Sequence, residues 1–216
     1  MGSTTRRLQK YEAEAAPISV DLEAPSMECF SPFGPLIART RLPLELVAQI
    51  NAFADSRISI DSGSEILLPA DFLSSGGEYS LLRQTASMVR RYVLRAENTT
   101  IERVDFDVFW IVSQYADTPS PVHFHSGDIA GVLYLKLPTV NEAERQRSYI
   151  EGRKAGYINF LIGGKQRFSK SLISFKPEVG DLYIFPGWLL HVAEPFVGGG
   201  ERRSMAFNAV IGHENS

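Results

Sequence analysis

The chain has only four histidines, and three of them stand where a metal site would need them. Two fall one residue apart in Pro121-Val122-His123-Phe124-His125, and a third, His191, closes the run Gly180-Asp181-Leu182-Tyr183-Ile184-Phe185-Pro186-Gly187-Trp188-Leu189-Leu190-His191. On a β-strand, residues i and i+2 share a face, so His123 and His125 are expected to project into one cavity. Neutral imidazoles are the commonest metal ligands. A facial set of three leaves coordination positions open, as a catalytic metal requires. This layout suits a mononuclear non-haem iron and points to an oxygenase. Further along, Glu201-Arg202-Arg203-Ser204 offers a guanidinium, which clamps a carboxylate through two parallel bonds and stays charged. The fourth histidine, His213, reads as a tail residue.

The bulk numbers exclude other classes. Hydrophobic residues make up 44% of the 216 and charged residues 22%, the profile of a globular protein able to bury a core unaided. The single cysteine, Cys29, rules out an intrachain disulfide and a Cys-rich zinc module, and it fits a reducing compartment. With a net charge of −3, no bulk basic signal points to nucleic acid. No apolar run approaches the length of a membrane span, and the opening residues lack the apolar core of a signal peptide. A cytoplasmic protein is expected.

The elements that must position these residues follow from periodicity. Residues 1–26 are polar and read as a flexible arm ahead of a single domain over 27–213. Phe30 to Ala38 reads as an opening strand broken by Pro32 and Pro35. Leu44, Val47, Ile50 and Ala54 recur at helical steps after Pro43. Residues 58–76 read as loop. Glu78 to Ala96 carries the stripe Leu82, Ala86, Val89, Val93 and its neighbour Leu81, Thr85, Met88, Tyr92. Beyond residue 100, strands are expected at 104–112, 121–125, 129–137, 156–162, 171–175, 181–185, 189–193 and 204–211, separated by Pro/Gly turns. Helices followed by many short strands predict an α+β domain whose second half is a jelly roll, a double-stranded β-helix with supporting N-terminal helices. Phe106, Phe109 and Phe124 read as core, and Trp110 and Trp188 as core or rim aromatics. Lys165, Arg167 and Lys170 read as the solvated face of a strand pair.

Over residues 104–211 the chain resembles an Fe(II)/2-oxoglutarate oxygenase group within the prolyl-hydroxylase-like superfamily. The resemblance rests on His123-Phe-His125, Ala130-Gly131-Val132-Leu133-Tyr134-Leu135, Gly180 to His191, and Glu201-Arg202-Arg203-Ser204-Met205-Ala206-Phe207-Asn208. It implies iron held by His123 and His191, with His125 at the position usually held by Asp or Glu. Either three histidines hold the metal or a carboxylate such as Asp128 joins them. It also implies 2-oxoglutarate as co-substrate, anchored by Arg202 or, in the rival register, Arg203, with Tyr134 and more distantly Tyr115. Strand alternation sets Arg202, Ser204, Ala206 and Asn208 on the cavity face, where Ser204 and Asn208 are also expected to contact the co-substrate, and Arg203, Met205 and Phe207 on the other.

The expected activity is therefore an Fe(II)- and 2-oxoglutarate-dependent hydroxylase that takes O2 and a small-molecule or amino-acid-like substrate. Two alternatives remain open on the residues alone. One is a three-His dioxygenase of the cupin kind without 2-oxoglutarate. The other is a non-enzymatic jelly-roll module binding a metal such as zinc. A homodimer through the arm or an edge strand is compatible with the sequence, though no residue pattern specifies it.

Overall fold

The computed structural model describes residues 11–12, 26–30, 34–57, 65–118, 120–141, 154–163, 167–168 and 170–212. His213, Lys165, most of the arm and most of the 141–156 loop lie outside these residues. The described residues form an α+β jelly roll. One sheet of eight strands runs in the order β1 (Tyr11–Glu12), β5 (Arg103–Gln114), β13 (Arg202–Gly212), β6 (Ile129–Lys136), β10 (Asp181–Pro186), β3 (Ile37–Arg41) and β2 (Glu28–Phe30), with β4 (Glu65–Leu67) pairing beside β5. A smaller sheet contains β11 (Leu190–Ala193), β8 (Ile158–Leu161) and β9 (Leu172–Phe175). A short ribbon pairs β7 (Thr139–Val140) with β12 (Gly198–Gly199).

The helices cover one face of the large sheet. Helix α1 (Leu44–Asp55) buries Leu46, Val47, Ile50 and Ala54, the face its periodicity predicts. Helix α3 (Leu81–Glu97) buries both predicted stripes, and the Ser80 side chain caps its start by accepting from the Arg83 amide at 3.4 Å. These helices share a core with Phe106, Phe109, Ile111, Leu133, Met205 and Phe207. The opposite face packs Tyr134, Tyr183 and Phe185 against Ile158 and Phe160 of the small sheet. The predicted alternation of β13 follows, since Met205 and Phe207 lie on the helix side. The cavity therefore sits between the sheets.

Gly131 shows why the Ala-Gly-Val strand needs its glycine. A Cβ there would stand 2.3 Å from two atoms of the Phe207 ring. That ring is fully buried and packs 5.5 Å from both Phe106 and Phe109, so it has no room to yield. Gly131→Ala should lower stability by about 1–3 kcal/mol through overpacking. The corresponding fall in melting temperature, several degrees, is checked by calorimetry.

Several sequence expectations need correction. Residues 58–76 are not loop throughout, because they contain β4 and the short helix α2 (Ala70–Ser74), whose Pro69 start a Ser/Gly-rich composition obscures. The arm is not uniformly free of pairing, since Tyr11 and Glu12 lie opposite Phe106 and Asp105. The opening strand splits into β2 and β3, paired with each other. Phe124 is not core but 64% exposed, because it alternates with two inward histidines and so faces solvent. Trp188 is exposed as well.

Candidate metal and co-substrate site

The segment carrying the first two histidines is not a continuous strand. Only His123 forms a bridge, pairing antiparallel with His191. Its amide donates to the His191 carbonyl at 3.1 Å, and the His191 amide donates back at 2.9 Å. That pair of bonds adds the segment to the edge of the small sheet and brings together two residues 68 positions apart (191 − 123). His125 is held differently. Its amide donates to the Gly187 carbonyl at 2.9 Å, and the Gly187 amide donates to the Asp128 carbonyl at 2.9 Å. The approach is so close that a Cβ on Gly187 would lie 2.4 Å from the Gly127 carbonyl oxygen. The glycine of the Phe-Pro-Gly-Trp turn is thus what lets the His125 loop seat.

The three rings converge, with candidate ligand nitrogens all within 4.8 Å of one another. His123 Nδ1 lies 2.9 Å from the Pro121 carbonyl and His191 Nδ1 lies 3.0 Å from the Leu189 carbonyl. A carbonyl only accepts, so both Nδ1 atoms carry the proton and both Nε2 atoms present lone pairs. His125 Nε2 and His191 Nε2 stand 3.2 Å apart. Nitrogen lone pairs gathered this closely call for a proton or a cation among them, so the residues present fit a divalent metal.

Burial, reinforced by the neighbouring imidazole of His123, depresses His125 to about 4. Burial chiefly, opposed by the Leu189 bond and aided by the other two rings, takes His191 to about 3. Both rings are therefore neutral and ready to ligate at physiological pH. The unfolded chain takes up protons at these positions below about pH 6.5, while the metal-free folded protein resists doing so until pH 3–4. Stability of the metal-free protein should thus fall as pH drops from about 6.5 towards 4. Denaturant midpoints measured across that range check this, and a flat profile would contradict it.

Asp128 does not join the cluster. Its carboxylate accepts from the Ile211 amide at 2.9 Å, and its own amide donates to the Ala209 carbonyl at 3.0 Å. It fastens the loop after His125 to the end of β13. Among the described residues, the grouped potential metal ligands are the three histidines.

The two arginines separate completely. Arg203, 2% exposed, faces the helices, where it donates from Nε and Nη2 to both carboxylate oxygens of Glu201 at 2.7 and 3.0 Å. Its Nη1 lies 2.8 Å from Asp55 and donates to Asn51 Oδ1 at 3.1 Å. Arg202, 1% exposed, faces the other way. Its Nε and Nη2 donate to Gln114 Oε1 at 3.0 and 2.6 Å, Nη1 to the Glu194 carbonyl at 2.5 Å, and Nη2 to the Ala193 carbonyl at 3.2 Å. All these acceptors are neutral. The Glu194 carboxylate is close enough to favour the cation but accepts from Asn159 at 2.8 Å. Arg202 is thus a buried cation with no carboxylate bonded to it among the described residues. Tyr134 lies on the same side, fully buried, its phenol pushed up to about 12 by desolvation, against the pull of Arg202.

Ser204 and Asn208 also face the cavity, opposite the helix-side Met205 and Phe207. Tyr115 does not converge with them, being 55% exposed in the turn after β5. Two residues were missed in the sequence. Gln114 meets Arg202 because the two are direct partners across β5 and β13. Trp110, whose ring centroid lies 5.5 Å from that of His125, forms a wall of the metal site. Alternation against Phe109 and Ile111 already places Trp110 on the cavity face; its nearness to His125 does not follow from the sequence.

Residues 108–208 match the family described as "Putative 2OG-Fe(II) oxygenase". Over that segment the chain is similar to the 2OG-Fe(II) oxygenases. Fe(II) and 2-oxoglutarate are the cofactor and co-substrate that this family implies. Among solved structures, the chain resembles the viral collagen prolyl hydroxylase of Paramecium Bursaria Chlorella virus-1, with a TM-score of 0.53 at 14% identity over 84% of this chain and 93% of that one. It also resembles a Pseudomonas putida prolyl-4-hydroxylase, with a TM-score of 0.49 at 13% identity over 79% and 90%. At such identity the viral likeness bears on the fold alone. No curated protein matches the chain significantly. No helix among the described residues is long and apolar enough to cross a membrane.

Proposed function

We propose that this oxygenase is a hydroxylase of a small-molecule or amino-acid-like substrate, with His123, His125 and His191 holding Fe(II) and Arg202 holding 2-oxoglutarate. The observation that carries the co-substrate assignment is the buried Arg202 guanidinium without a bonded carboxylate. A desolvated charge is costly unless paired, and an incoming carboxylate supplies the missing partner in place of Gln114 Oε1. Tyr134 and Ser204, side by side in register on β6 and β13, sit next to Arg202 on the same face and complete the donor set. Tyr115 is retained only as a rim residue.

When bound, Fe(II) and 2-oxoglutarate would together activate O2, the oxidant, for hydroxylation of a substrate C–H bond, with 2-oxoglutarate giving up two electrons as it is converted to succinate and CO2. The chain's own residues orient and exclude. Backbone carbonyls at Pro121 and Leu189 fix two imidazole tautomers, Trp110 shields His125, and Arg202 selects an anionic co-substrate. Supplying the protein from a cytoplasmic compartment accords with its single cysteine.

The test is an anaerobic titration with Fe(II) followed by 2-oxoglutarate. A weak visible charge-transfer band that requires both is the expected result. The all-histidine set favours one second reading, a dioxygenase in which substrate rather than 2-oxoglutarate chelates the metal. Oxygen uptake that proceeds without 2-oxoglutarate would select it.

A further inference from the structure

The inner face of the large sheet carries Asn208, which the sequence offers as a co-substrate contact but which stands apart from Arg202 along β13. Asn208 is 7% exposed, its Oδ1 is closed to solvent, and it has no hydrogen-bond partner among the described residues. A buried amide oxygen left unpaired is destabilising, which a bound ligand would relieve.

Its position along β13 separates it from the co-substrate. Arg202 lies opposite Gln114, Ala206 opposite Trp110, and Asn208 opposite Val108. Trp110 touches the His125 ring, so the metal stands near the level of Ala206. Arg202 and Asn208 are six residues apart (208 − 202), roughly 20 Å along a strand. A five-carbon diacid chelating the metal and reaching to Arg202 extends away from Asn208. On the Asn208 side the inner face at this level carries Val108, Ala130 and Val132, with Trp110 as its wall; among the described residues no cation pairs opposite Ala206 or Asn208, and the acidic Asp107 falls at the bulge beside Val108. The register also shifts between Asn208 and Ala209, a bulge of the kind that re-aims side chains beside active sites.

We infer that Asn208 is a specificity-determining residue for the primary substrate, pairing through its amide with a neutral hydrogen-bonding group carried on an apolar body that lies against Trp110. This rests on the oxygenase reading above and adds the substrate's chemistry to it. A free carboxylate at this end is disfavoured, because among the described residues no cation pairs opposite Ala206 or Asn208 to neutralise it.

The test uses the full chain loaded with Mn(II) and 2-oxoglutarate, with benzamide as the probe and benzoate as the charged control. Mn(II) and 2-oxoglutarate affinities are read first, then paramagnetic relaxation of the benzamide protons. In the wild type, benzamide should relax strongly and benzoate should not displace it. In Asn208→Leu, and in Asn208→Ala as the variant with less risk to folding, benzamide affinity should fall roughly 3- to 10-fold, the loss of one hydrogen bond. Mn(II) and 2-oxoglutarate affinities should stay within about twofold. Undiminished relaxation in the variants, or none in the wild type, overturns the inference. So does a loss of 2-oxoglutarate affinity, which would return Asn208 to the co-substrate site. Failure of the wild type to retain Mn(II) and 2-oxoglutarate shows before benzamide is added; it defeats the oxygenase reading, and this inference falls with it.

Discussion

His191→Ala should lose Fe(II) binding by at least about 100-fold, since removing even an outer partner of a metal histidine costs 10- to 100-fold. The ring is 5% exposed, its tautomer is set by the Leu189 carbonyl, and its Nε2 stands 3.2 Å from that of His125. No other potential ligand among the described residues groups with it to compensate. The backbone bonds between residues 123 and 191 do not involve the side chain, so the small sheet should survive and circular dichroism should be unchanged. His123→Ala and His125→Ala should behave alike. Asp128→Asn is the informative contrast. Its amide still offers an oxygen to the Ile211 amide, so iron should remain bound. Iron retained in His191→Ala, or lost in Asp128→Asn but kept in His125→Ala, would overturn the three-His assignment.

Arg202→Ala and Arg203→Ala should fail in opposite ways. Removing Arg202 takes away the buried cation, and 2-oxoglutarate affinity should drop roughly 10- to 100-fold, as for bonds to a charged group. Metal content should not change, because no histidine contacts the guanidinium by hydrogen bond. Removing Arg203 strands the largely buried Glu201 carboxylate, 14% exposed, and also releases Asp55 on α1. Breaking such a pair costs about 3–5 kcal/mol, so a fall in melting temperature of roughly 6–20 °C is expected. The 2-oxoglutarate affinity of the folded fraction should be unaltered. Binding titrations and thermal melts on both variants settle the register. If Arg203→Ala were the one that weakens 2-oxoglutarate, Arg202 would be structural.

Much of this site is legible in the chain because strand geometry is local. A period of two suggests that His123 and His125 share a face, though the structure brings them together through a single bridge and the Gly187 turn rather than a strand, and it sorts β13 into Met205 and Phe207 against the helices with Ser204 and Asn208 opposite. A period of 3.6 marks the buried faces of α1 and α3 just as directly. The Gly-Asp to His191 run and the Glu-Arg-Arg-Ser strand then indicate the family, and with it the jelly roll.

What depends on residues meeting across the fold is not legible in this way. The sequence favours His125 as a metal ligand and keeps Asp128 as an alternative; the packing of the 125–128 turn on β13 commits that carboxylate to the Ile211 amide. It favours Arg202 over the adjacent Arg203 by strand alternation but does not show what each guanidinium meets. Glu201 and Asp55 neutralise one because α1 lies on that face of the sheet, and the other meets neutral acceptors because it points into the cavity. The sequence by itself determined which residue types could bind iron and an anion, and which strand faces carry them, because alternation needs no partner. Tertiary structure alone decided which carboxylate and which arginine are already engaged, because charge pairing and desolvation are set by groups distant in the chain and adjacent in space.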